Sequence, residues 1–132
     1  MEFVLQVSLT SAGMFGLLAM WLMVRTGRAR MKAKVGHGDG GDALLARRMR
    51  AQINFVESAP FVLALIVLID LAGRGDGWLV WVALAFVIGR VLHGIGMDAE
   101  TAGWPRSIGT GVTLLTLLGL SIVAVLAGLR VV

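Results

Sequence analysis

Cysteine and tyrosine are both missing from the 132 residues. Without cysteine there is no disulfide framework, no thiolate metal site and no protein thiol nucleophile. Without tyrosine, no phenol can act as an acid or a hydrogen-bond anchor. Charge is scarce too: 15% of the residues are charged and 58% are apolar, against about 25% and about 45–50% in a typical soluble domain. With a mean hydropathy of +0.87, that balance excludes a disordered chain and argues against a water-soluble globule. The two histidines, His37 and His93, are far apart and form no metal-ligand set.

The apolar residues that replace charge lie in runs. Phe3 to Val24 and Ile108 to Leu129 carry no charged residue. Each would extend about 33 Å as a helix, enough for a hydrocarbon core of about 30 Å. The first has no basic leader and ends at Arg25 without a clear small-residue cleavage site, so it reads as a span and not a signal peptide. Ala51 to Ile69 and the stretch from Trp78 are apolar apart from polar groups near one end of each. These runs predict an all-α, four-helix integral membrane bundle, one domain over 1–132, with helices at roughly 3–25, 44–70, 77–97 and 106–130. Arg and Lys crowd the first connection, from Arg25 to Arg50, whereas the second holds Arg74 alone. The excess of Lys and Arg marks the cytoplasmic side, so loops 26–43 and 98–105 are expected inside and both termini outside. A basic loop there suits anionic lipid, and no nucleic-acid partner is expected. The segment G-H-G-D-G-G-D at 36–42 lacks the lysine and spacing of a phosphate-binding loop and reads as a glycine-rich turn.

Some polar residues sit where lipid-facing helices should have none. Arg50, Asn54 and Glu57 fall within about 60° of one another at 100° per residue, a single stripe on helix two. An ionisable group in a span costs about 2.5–3.5 kcal/mol on insertion scales, so it needs a partner or water. The stripe either satisfies itself as polar glue between helices or faces a ligand. Arg90 and His93 repeat the pattern on helix three, and Pro105, Arg106 and Ser107 open helix four. Taken singly, Arg106 reads as an interfacial residue and His93 as a packing residue. Jointly, three helices deliver cations, one carboxylate and one amide to the same membrane level. Such a set suits a small zwitterion: arginines for its carboxylates, Glu57 for an ammonium and Asn54 for an amide backbone.

At these residues the chain resembles the membrane-associated proteins of eicosanoid and glutathione metabolism, the MAPEG family. Residues 50–60, R-A-Q-I-N-F-V-E-S-A-P, match that family's R-A-x-x-N-x-x-E-x-x-P pattern. G-R-V-L-H at 89–93 resembles its G-R-x-x-H segment, and Pro105-Arg106-Ser107 its fourth-helix start. Thr26 to Arg30 is similar to the end of helix one in microsomal prostaglandin E synthase. The resemblance implies a homotrimer with glutathione held between subunits near the cytoplasmic face. It further implies that Arg30, Arg50, Asn54, Glu57, His93 and Arg106 hold glutathione, with Arg90 in support. Arg106 and Ser107 would stand beside its sulfur as the catalytic pair. The implied activity is glutathione transfer or peroxide reduction on a hydrophobic electrophile or lipid peroxide. Two departures, Met97 or a neighbour where some members carry tyrosine and Ile53 where the prostaglandin synthase carries arginine, argue against a mammalian eicosanoid substrate. Because the family includes a lipid-binding member that is not an enzyme, the alternative is a non-catalytic lipid-binding or scaffold protein. A transporter or channel is less consistent with two uniformly apolar outer helices.

Overall fold

The protein is described as a computed structural model over residues 5–132. Phe3 and Val4, where the first apolar run opens, lie outside the described residues. The chain forms four helices: α1 (Gln6–Ala33), α2 (Ala43–Leu71), α3 (Trp78–Gly96) and α4 (Trp104–Gly128). Each is long and apolar enough to cross a membrane.

The largest departure from expectation is at the end of α1, which runs on to Ala33 and turns most of the basic half of the expected loop 26–43 into helix. The physical reason is local. Arg, Ala, Met and Lys are good helix formers, and the segment contains no proline. The helix stops at Lys34, in the left-handed region with φ 56°. There the N–H groups of Lys34 and Val35 donate back to the carbonyls of Met31 and Arg30. Twenty-eight residues give about 42 Å, so α1 is longer than the hydrocarbon core by about 12 Å. The connection proper is the glycine-rich turn, closed by Asp42, whose carboxylate accepts from the Leu45 N–H at 2.8 Å and caps α2.

The two helical hairpins, α1–α2 and α3–α4, make the most intimate contacts; α2 also packs on α4, while α1 and α4 do not meet. The buried faces follow helical spacing. Phe15, Leu18 and Leu22 come from α1, and Phe55, Ala59, Val62 and Ile66 from α2. Leu79, Ala83 and Phe86 come from α3, and Leu120 from α4. Phe15 links this core, its ring centroid 5.0 Å from Phe86 and 6.4 Å from Phe55. Around the outside, Leu9, Leu17, Phe61, Trp81, Leu115 and Leu118 stand largely uncovered. A soluble monomer would not tolerate so much exposed apolar surface, whereas hydrocarbon requires it. At the end of the bundle opposite the basic turn, Asp70 of α2 reaches α1. Its Oδ2 accepts from the Ser8 hydroxyl at 2.6 Å and the Ser8 backbone N–H at 3.1 Å.

Candidate functional site

The polar residues of three helices meet toward the end of the bundle that holds the α3–α4 turn. A cavity of about 240 Å³ is lined by Arg50, Ile53, Asn54 and Glu57 of α2, His93 of α3, Met97 just beyond it, and Arg106 and Thr110 of α4. Five of the residues expected to hold or act on a ligand therefore line one hollow. Arg50 and Glu57 form no ion pair with each other among the described residues, so the stripe on α2 does not satisfy itself. Both side chains are exposed, as is Arg106.

Arg90 lies behind the cavity and not in its wall. It is 1% exposed, which makes it the largest fully buried side chain. Its Nη1 donates to Asn54 Oδ1 at 2.8 Å and to Thr113 Oγ1 at 3.2 Å. Its Nη2 approaches His93 Nδ1 at 3.4 Å, and its Nε has no partner. These contacts fix the chemistry facing the cavity. Arginine can only donate, so His93 Nδ1 is the acceptor and the imidazole proton sits on Nε2. Asn54 Oδ1 is already engaged, which leaves the Asn54 amide its two N–H groups. The hollow is thus a set of donors (Arg50, Asn54, Arg106) with a single carboxylate, Glu57. An acceptor-rich anion that also carries one cation would complement it.

Arg30 and Ser107 fall outside this lining. Arg30 borders a second hollow of about 290 Å³, with Thr26, Met49, Gln52, Ile53, Val56 and Glu57. Its Nη1 donates to the carbonyls of Gly38 at 2.8 Å and Val35 at 3.3 Å. Ile53 and Glu57 form the ridge between the two hollows. Ser107 is exposed on α4 beside Arg106. A larger hollow of about 440 Å³ lies between α1 and α3, lined by Gln6, Thr10, Ser11 and aliphatic groups. It has the larger volume but no ionisable group; the charged side chains line the smaller one.

Sequence reasoning missed three features. Thr110 follows Arg106 at i+4 and Thr113 at i+7, a spacing that puts them on one face of α4 and was readable. The third was not readable. Asp98, in the turn after α3, accepts from Arg48 Nε at 3.1 Å and Nη2 at 3.0 Å, and from Arg25 Nη2 at 2.6 Å. Arg47 donates to the Asp98 carbonyl at 3.2 Å, and Arg25 Nη1 to the Gly94 carbonyl at 2.6 Å. One acid thereby ties α1 and α2 to the turn beside the cavity. Partial burial opposes ionisation of Asp98, but the hydrogen bonds and charges of Arg48 and Arg25 outweigh it and hold the carboxyl below its usual range. Among the described residues no cluster of His, Cys, Asp and Glu is placed to hold a metal ion.

A sequence model of the MAPEG family matches residues 8–126, a stretch that includes every residue named for the site. The chain is also similar to inner membrane protein YecN of Escherichia coli K12, 32% identical over 102 residues covering 76% of this chain and 77% of that protein. Inner membrane protein YecN of Escherichia coli O6:H1 matches to the same extent. Together with four spanning helices, these similarities make the protein an integral, multi-pass membrane protein. With the family match covering all four helices, the chain belongs to the MAPEG family.

Proposed function

We propose that this protein is a glutathione-dependent membrane enzyme, a transferase or peroxidase acting on hydrophobic electrophiles or lipid peroxides. The observation that carries the reading is the convergence of Arg50, Asn54, Glu57, His93 and Arg106 on one cavity. The donor set fits the tripeptide. Arg50 and Arg106 suit its two carboxylates, the Asn54 N–H groups suit a peptide carbonyl, and Glu57 suits its ammonium. Glutathione supplies the thiol that this cysteine-free chain lacks. Arg106, in the first turn of α4, adds a cation to the positive end of the helix, and both favour a thiolate over a thiol. The neighbouring Ser107 hydroxyl would donate to the same sulfur.

At about 240 Å³ the cavity of one chain is smaller than the roughly 300–1,000 Å³ usual for ligand sites. That shortfall supports closure of the hollow by a neighbouring copy, which the homotrimer implied by the resemblance would supply. Arg30 then joins the ligand from the neighbour, since within one chain it borders the other side of the Ile53–Glu57 ridge. The thinly covered outer face of α4, with Leu114, Leu115 and Leu118 exposed, is available for such contact. The basic end of the bundle is assigned to the cytoplasm and both termini to the outside.

A second reading, a non-catalytic lipid-binding or scaffold protein, draws on the aliphatic hollow between α1 and α3. Titration calorimetry in detergent separates the two. The enzyme reading expects heat from glutathione at or below millimolar concentration, and thiol consumption with a reactive aryl halide. Glu57→Gln or Arg50→Ala should each weaken glutathione binding at least tenfold, about 1.4 kcal/mol. A folded protein that binds no glutathione and retains lipid through purification would favour the scaffold. Crosslinking in native membranes that stops at a dimer would contradict the trimer.

A further inference from the structure

His93 and Arg106 stand opposite each other on antiparallel helices, and each is followed three residues later by glycine: Gly96 on α3 and Gly109 on α4. The two glycines are used crosswise. A β-carbon on Gly96 would lie 2.5 Å from the backbone nitrogen of Arg106 and 3.1 Å from its Cα. A β-carbon on Gly109 would lie 2.5 Å from His93 Cβ and 2.8 Å from its backbone nitrogen, and would also strike the Gly89 carbonyl. Each polar residue of the pair therefore sits in the space left by the other helix's glycine. The obstructing atoms are backbone or the first side-chain carbon, which no rotamer change can move away. The relief open to an added methyl is separation of α3 from α4.

Gly89 of α3 also packs closely on α4, where a β-carbon would lie 3.0 Å from Val112 Cβ, but neither residue lines the cavity. The remaining glycines of these helices do not share the arrangement. A β-carbon on Gly111, Gly119 or Gly128 of α4 meets nothing within 4 Å. One on Gly94 meets the ends of the Trp21 and Leu22 side chains of α1. Alanine is the better helix former, so local preference opposes glycine at 96 and 109 and gives no reason for it there. The reason lies in the approach of the helices, and that approach sets how the His93 imidazole and the Arg106 guanidinium share one cavity.

We propose that Gly96 and Gly109 are positioning residues, a reciprocal seat that fixes the distance between Arg106 and His93 across the cavity. The inference rests on the glutathione reading above, because it assigns the two glycines a role in that site. A displacement of about 1 Å is enough to cost a reaction two orders of magnitude. Backbone overlaps of this depth demand movement on that scale.

The test is a double-mutant cycle read by glutathione calorimetry on the full-length protein in detergent. Gly96→Ala and Gly109→Ala should each weaken binding at least tenfold. Gly96→Ala combined with Arg106→Gln should bind no more weakly than Arg106→Gln alone, because the glycine acts through that arginine. Additive losses would mean that Gly96 serves stability in general and would overturn the proposal. If the wild-type protein binds no glutathione, the functional reading fails by itself, and the seat is then judged without ligand. Each glycine variant should shift the 15N-imidazole resonances of His93 while leaving those of His37 in place. An unmoved His93 in a folded variant would refute the seat. If both variants failed to fold, the glycines would be needed to assemble the bundle, and the proposal would also be overturned.

Discussion

Asp98 gives the sharpest test of how the site end of the bundle is held. Its carboxylate takes three charge-assisted hydrogen bonds, two from Arg48 in a forked arrangement and one from Arg25. The guanidinium partners are 14% and 20% exposed and Asp98 is 32% exposed, between the buried and surface regimes. Fully exposed pairs contribute about 0–1 kcal/mol, whereas breaking a fully buried pair costs about 3–5 kcal/mol. The geometry places Asp98→Ala at about 2 kcal/mol of destabilisation, with hydrogen bonds to charged groups each worth about 1.5–3 kcal/mol before solvent screening. Asp98→Asn keeps one acceptor and should cost about half as much. Denaturant unfolding in detergent, followed by circular dichroism, measures both. A cycle with Arg48→Met should return a coupling energy of roughly 1 kcal/mol, since the two side chains share the same bonds. A loss below about 0.5 kcal/mol for Asp98→Ala would put the clamp in the surface class and refute the claim that it ties three helices together.

The same carboxyl carries a pH dependence. Its folded pKa is depressed, so its contribution is complete above the ordinary carboxylate range near about 3.9. It is lost as pH falls through the lower folded value; unfolding followed from about pH 5 downward, through and below about 3.9, should therefore show an acid limb that Asp98→Asn diminishes. Thr113→Val removes one acceptor from buried Arg90 while keeping the shape, and should cost about 1–3 kcal/mol. In an Arg90→Met background the same change should cost little, because the buried cation that Thr113 serves is gone. Unfolding measurements on the three variants test that asymmetry, which fails if the Thr113→Val costs match. At the far end, Asp70→Ala should cost about 1–2 kcal/mol, because Asp70 serves the first turn of α1 through Ser8. Hydrogen exchange should report faster opening of that turn in the variant and no change at the cavity end.

What the residues announced by themselves were properties that repeat within one helix. Two uncharged runs of membrane length and two more with polar groups near one end set the number of helices and their order, because hydrocarbon imposes the same demand on every turn. The Arg50–Asn54–Glu57 stripe was legible for the same reason: 100° per residue puts those three on one face whatever lies opposite. The end of α1 was not legible from charge, because arginine and lysine continue a helix once it leaves hydrocarbon.

Only the tertiary structure decided which residues face one another across helices. It gave the Asn54 oxygen to Arg90 and so left a cavity of donors. It sent Arg30 to the far side of the Ile53–Glu57 ridge, and it made Asp98 the acid shared by α1 and α2. The spacing of α3 from α4 was likewise invisible in the chain. An interhelical distance is set by the atoms of both partners at the point of contact, here Gly96 against Arg106 and Gly109 against His93. A pattern along one helix specifies a direction, and it contains no measure of how near the next helix can come.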